Sequence, residues 1–353
     1  MREVWRRRRG DAQIPSKILN GNIPDMRAEI EKICAGADVN DALNDAIVGA
    51  NQFLDEEKRL RRARLAIAAG ANVNGLEKTM PPLLLAVKRR NVAIVKLLID
   101  NDANVNTPYG LYKRTALFDA VANDDEAIVE LLLQSKAEID RKDINGKTPL
   151  HHAAEALSAK AVDMLIKYKA SVDAVSTDLE RTPLHLAVRT SPTKIDEADA
   201  SRLRIVNALL VAKANVNQQD EDLVTPLHLA AGQLHYNVVN QLLTHDVNVN
   251  AKSKTFGSTP LHDAVRNVTK GDDANERRCN IVEALIINGA NVTAKTGDSD
   301  EGEMALEIAR RLHPDDNRLM DLLKAPTTKQ HRKFPFLSPD RLVAEKKKVT
   351  KPT

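Results

Sequence analysis

Short aliphatic clusters recur along this chain at helical spacing, separated by polar, turn-forming stretches. Ile128-Val129-Glu130-Leu131-Leu132, Val238-Val239-Asn240-Gln241-Leu242-Leu243 and Ile281-Val282-Glu283-Ala284-Leu285 each pair apolar residues three to four positions apart. That spacing puts them on one face of a helix. Each cluster follows a shorter segment in which Leu is succeeded three residues later by Ala, as in Leu150 and Ala153 or Leu227 and Ala230. The pattern predicts pairs of short helices joined by tight turns over most of the chain. No apolar run approaches the roughly 18 residues needed to cross a bilayer.

The pairs repeat with a period. A marker of a small residue pair, one variable residue, Val or Ile, and then usually Asn or Asp recurs from Gly36-Ala37-Asp38-Val39-Asn40 to Gly289-Ala290-Asn291-Val292-Thr293. Between second residues of successive markers the steps are 34, 32, 34, 33, 44, 33 and 43. Five cluster at 33 and two exceed it by about ten. A second marker runs in phase: Thr148-Pro149-Leu150-His151, Thr182-Pro183-Leu184-His185, Thr225-Pro226-Leu227-His228 and Thr259-Pro260-Leu261-His262.

These two markers at this period resemble the ankyrin repeat over about residues 13–325. The resemblance implies an all-α solenoid of stacked helix-turn-helix units with β-hairpin loops. The residue types make sense apart from it. Thr at an N-cap accepts from free helix amides, and Pro at the next position gives up a donor that had no partner. Gly146 and Gly257 stand where a hairpin turn needs a positive φ. The period puts His151, His185, His228 and His262 in four different layers, so they read as structural bridges between repeats rather than a metal or acid–base cluster. His152, His235, His245, His313 and His331 show no ligand spacing and read as surface residues.

Three segments are expected: a basic stretch over 1–12, a repeat domain of about eight repeats plus a C-terminal cap over 13–325, and a disordered basic tail over 326–353. Residues 13–40 read as the first cap. The long steps place insertions near 191–201 and 268–277, between first and second helices, and both are polar enough to read as surface loops.

Composition agrees with thin helical layers. Hydrophobic residues are 42% and aromatics 3%, so Leu, Ile, Val and Ala must fill the core. The net charge of +3 hides +4 over residues 1–10 and +6 over 326–353, leaving about −7 between them. A mildly acidic body argues against a nucleic-acid groove. Two cysteines without Cys-x-x-Cys spacing, and no apolar stretch behind the N-terminal arginines, predict a soluble intracellular chain in cytoplasm or nucleus.

No Gly-rich phosphate loop, nucleophile elbow or metal-ligand spacing occurs, so no catalytic residue, metal or cofactor is assigned. The resemblance implies binding of a protein partner by a monomer, through hairpin tips and the concave inner-helix face, with no small-molecule substrate. The tip candidates are Tyr109, Leu111, Tyr112 and Phe256, and the inner-helix candidates are Lys88, Leu186, Arg189, Leu229 and Arg266. Scaffold, adaptor and inhibitor roles stand open. So do a nuclear transcription-regulatory role, a host-directed effector and a ubiquitin-ligase substrate adaptor.

Overall fold

The structure is a computed structural model that describes residues 38–49, 55–76, 79–189, 195–297 and 302–324. The expected segments 1–12 and 326–353, most of the first cap and positions 190–194 lie outside the described residues. The described residues hold sixteen helices and fall into two compact units divided between Asn215 and Val216.

In the first unit, inner helices α1 (Val39–Val48), α3 (Pro82–Lys88), α5 (Ala116–Ala122), α7 (Pro149–Glu155) and α9 (Pro183–Arg189) form one row. Outer helices α2 (Glu56–Ala68), α4 (Val92–Asp100), α6 (Glu126–Gln134), α8 (Ala159–Lys167) and α10 (Ile195–Val211) form the other. The second unit repeats the scheme. Inner α11 (Pro226–Gly232), α13 (Pro260–Arg266) and α15 (Ala305–Leu312) pack against outer α12 (Tyr236–Leu243), α14 (Asp272–Ile287) and α16 (Asn317–Lys324).

Local chemistry explains the short inner helices. Thr148, Thr225 and Thr259 hold extended backbone at the N-cap, with φ between −87° and −97°, and Pro begins the helix. Ala153, Ala187, Ala230 and Ala264 are fully buried where the neighbouring helix comes close. The outer helices bury one aliphatic stripe each, such as Ile94, Val95 and Leu98 or Ile128, Val129 and Leu132. Each such Leu or Ile contributes about 1.5–3 kcal/mol by leaving water.

Side chains fasten layer to layer. The Asn or Asp that ends each marker accepts a backbone N–H from the next marker. In the first unit Asn40 Oδ1 takes Asn72 N–H at 2.8 Å, Asn74 takes Asn104 at 2.7 Å, Asn106 takes Glu138 at 2.8 Å, Asp140 takes Ser171 at 2.9 Å and Asp173 takes Asn215 at 2.8 Å. In the second, Asn217 takes Asn248 at 2.7 Å and Asn250 takes Asn291 at 2.8 Å.

The hairpins are turns rather than strands. No strand occurs among the described residues. One or two backbone bonds close a hairpin, such as Asp143 N–H to Lys147 O at 2.9 Å or Ser176 N–H to Arg181 O at 2.9 Å. Gly146 and Gly257 take φ of 71° and 56°, as their turn positions require.

The insertions differ from the expected loops. Residues 195–201 belong to α10 and 272–277 to α14, which lengthens these outer helices to 17 and 16 residues. In α14 the reason is local: Asp272 and Asp273 sit in the first turn, where the helix dipole favours acids. The two extensions also share a pattern. Arg202 and Arg278 each stand three residues before the Ile-Val pair, and both side chains are fully buried. Arg202 is bonded to Asp199, and Arg278 Nη1 donates to Asn275 Oδ1 at 2.8 Å, so in each case the partner lies three residues back.

Candidate functional site

Two surfaces carry groups beyond what the fold needs. The four Thr-Pro-Leu-His histidines are not among them. Thr148 N–H donates to His151 Nδ1 at 3.0 Å, which leaves the ring proton on Nε2, and Nε2–H donates to Arg181 O at 2.9 Å in the next hairpin. His228 and His262 do the same, reaching Ser258 O and Ala294 O, each at 3.0 Å. His185 Nδ1 accepts from Thr182 N–H at 3.2 Å. Burial pushes the His151 pKa down to about 4 and lowers those of His228 and His262. These are neutral structural rungs.

His152 is a correction to the surface reading. Its ring is mostly buried, edge-on to Phe118 with centroids 5.3 Å apart, and Nε2 meets Asp143 Oδ2 at 2.9 Å. Asp143 Oδ1 accepts N–H from Asn145 at 2.9 Å and Lys147 at 3.0 Å. Burial opposes ionisation of Asp143, but these bonds outweigh it and hold its carboxyl below the usual range. His313 is likewise tied down, with Nε2 donating to Val265 O at 2.8 Å.

The first surface is the edge of hairpin tips in the first unit. Leu111 is 88% exposed, and Leu76, Tyr112 and Ile144 are also exposed. Tyr109 is half-buried, and its N–H closes the hairpin on Arg114 O at 2.8 Å. Neighbouring tips are joined: Ile144 N–H donates to Tyr112 O at 3.1 Å and Thr177 N–H to Asn145 O at 2.9 Å. The Arg114 guanidinium lies 4.9 Å from the centre of the Tyr112 ring. The second unit has its own tip chemistry, with Phe256 62% exposed and Arg266 5.2 Å from its ring centre.

The second surface is a cleft of about 350 Å³ in the second unit, lined by Val224, His228, Leu229, Gly232, Gln233, Asp263, Arg266 and Asn267. It brings together two of the sequence candidates, half-buried Leu229 and Arg266. Lys88 and Arg189 are exposed at the ends of α3 and α9 in the first unit. Leu186 is a further correction. It is 2% exposed and not a contact surface, because α9 packs between α7 and α10.

Sequence reasoning missed the importance of Asp263 and Gly232. Burial in the cleft pushes the Asp263 pKa up to about 7 against the opposing charge of Arg266. The tip residues Leu76 and Ile144 were missed as well. Their signal was an aliphatic residue in an otherwise polar turn; Ile144, like Leu111, stands four residues before its N-cap threonine.

Among the described residues no group of three His, Cys, Asp or Glu stands close enough to hold a metal ion. No helix among them is long and apolar enough to cross a membrane. Paired helices, threonine-capped and bridged by histidine to the following hairpin, define a stacked-repeat class whose exposed chemistry lies at turns and inner-helix ends. The chain belongs to the ankyrin-repeat family: a profile described as ankyrin repeats, three copies, matches residues 56–143, 137–198 and 197–296.

The chain is 33% identical to Rabankyrin-5 of Mus musculus over 244 residues, 66% of this chain and 20% of that relative. It is 27% identical to the fowlpox virus putative ankyrin repeat protein FPV031 over 201 residues, 55% of this chain and 53% of that protein. It thus spans about a fifth of the length of Rabankyrin-5. Among solved structures it is similar to the ankyrin repeat domain of Bcl-3, with TM-score 0.55 and 25% identity over 71% of this chain and 100% of that one. The human ASB11 ankyrin repeat domain matches in fold, with TM-score 0.55 and 24% identity over 70% of this chain and 99% of that one. Ankyrin repeats are generally protein–protein interaction modules.

Proposed function

We propose that this chain is a non-catalytic module, serving as scaffold, adaptor or inhibitor, that holds a protein partner on the hairpin-tip edge of its first unit. The observation that carries this reading is the set of exposed apolar tips, Leu76, Leu111, Tyr112 and Ile144, with the hairpins of Tyr112 and Ile144 bonded backbone to backbone. An apolar set held in place is favourable for binding because little ordering remains to be done on association. Aromatic anchors ringed by polar residues are the usual energetic centres of such surfaces. The reading places the protein inside the cell, as a monomer.

Affinity purification of the full tagged chain, compared with a Leu111→Ser, Tyr112→Ser, Ile144→Ser variant, tests it. At least one co-purifying protein should fall by tenfold or more. A partner set unchanged by the three substitutions, in a variant with native helix content, overturns the tip assignment.

A further inference from the structure

The inner helices hold a matched pair of mid-helix acids with unmatched neighbours. Asp119 on α5 and Asp263 on α13 occupy equivalent repeat positions, one residue after Phe118 and His262. Opposite Asp119, at the end of the preceding inner helix, stands Lys88, whose charge works against the upward push of burial on that carboxyl. Opposite Asp263 the equivalent position is Gly232. A Cβ built there would stand 3.5 Å from the Asp263 Cβ, so a side chain at 232 would lie directly against the acid. The glycine leaves the cleft in place of that side chain.

The neighbouring charges are committed elsewhere. Arg266, on the same helix, lowers the cost of the Asp263 charge from a distance, but its guanidinium is bonded to Ser258 Oγ and lies over the Phe256 ring. His228 on α11 is neutral and committed, with Nδ1 accepting from Thr225 N–H at 3.1 Å and Nε2–H donating to Ser258 O. The cleft wall is braced as well. Asn267 Nδ2 donates to Gly232 O at 2.7 Å, and Arg278 Nη2 donates to Asn267 O at 2.9 Å and Thr269 O at 3.0 Å. The buried arginine of the lengthened α14 is therefore a positioning residue for this wall.

We propose that the cleft receives one lysine or arginine side chain from a partner protein, its cation paired with Asp263 in the place that Lys88 takes opposite Asp119. Leu229 and Val224 supply apolar contact for the aliphatic stem, and Gln233 and Asn267 line the polar side. The proposal rests on the protein-binding reading and adds the chemistry of one anchor.

A random dodecapeptide phage library selected against the full chain tests it, with binding of a selected peptide then followed by fluorescence anisotropy. The expected peptides carry a fixed Lys or Arg beside an apolar residue and bind at least tenfold more weakly when that residue is norleucine. Asp263→Asn should weaken binding by tenfold or more. Gly232→Lys, a residue type that α3 already carries at this position, should abolish it by supplying the cation from within. Peptides that bind wild type and both variants equally overturn the proposal. So does displacement by a synthetic peptide of residues 326–353 at equal affinity, which would assign the cleft to this chain itself. Peptides dependent on Leu111 and Tyr112 but not on Asp263 overturn the cleft alone. A selection that enriches nothing overturns the protein-binding reading with it.

Discussion

His151 makes the stability of the first unit depend on pH in a way one substitution reveals. The buried ring titrates at about 4 in the folded chain, against an ordinary value of 6.5. Its folded pKa is depressed, so below 6.5 the unfolded state binds a proton that the folded state refuses. Stability therefore falls as pH drops from 6.5 toward 4, at up to about 1.4 kcal/mol per pH unit from this ring. Between pH 7 and 5 the loss is about 2 kcal/mol. His151→Gln retains an acceptor for Thr148 N–H, as in a Thr-x-x-Gln capping box, but gives up the bond to Arg181 O and the titrating proton. At pH 7 the variant should be less stable by about 1–2 kcal/mol, the worth of one buried hydrogen bond. By pH 5 that gap should close. Urea denaturation followed by far-ultraviolet circular dichroism at pH 7, 6 and 5 measures both curves. A gap that stays constant across this range would refute the neutral-rung assignment.

Two further outcomes follow from backbone and buried charge. Lys169 sits at φ 69° where the equivalent residues Gly70 and Gly289 are left-handed glycines. Lys169→Gly should raise stability by up to about 1 kcal/mol, since left-handed strain outweighs the entropy of the added glycine. The urea midpoint reads this, and a lower midpoint contradicts it. Arg278→Lys should lower stability by about 2 kcal/mol, because one ammonium cannot reproduce the fork that holds Asn267 O, Thr269 O and Asn275 Oδ1. Thermal melts that coincide with wild type would exclude that role.

The parts of the fold legible in the sequence were those built from neighbouring residues. Thr148, Pro149 and His151 announce a helix start because the cap, the missing donor and the ring bond all act within four positions. The aliphatic pairs of α6, α12 and α14 announce a buried face for the same reason. What escaped depends on other layers. The Asn and Asp of the first marker are recognisable as a pattern, but their partner is a backbone amide 30 to 42 residues away. Leu186 reads like Leu229 until the packing of α9 buries it. His152 is drawn inward by Asp143, nine residues back across a hairpin. The insertions read as loops because their polar residues conceal helix formers. Asp263 differs from Asp119 through the residue that faces it from the preceding layer, Gly232 in place of Lys88.

The marker ladder separates two lengths that are usually coupled. Asp173 to Asn215 and Asn250 to Asn291 bridge 42 and 41 residues, yet both bonds are 2.8 Å, the same as bridges over 32 residues. Contour length between rungs thus varies by about ten residues while the pitch at the hairpin edge stays fixed. The edge behaves as a ruler, and the opposite ends of the helices absorb growth. New chemistry, such as the arginine-braced wall beside Gly232, can therefore be added at one side of a layer without shifting the spacing of the tips at the other.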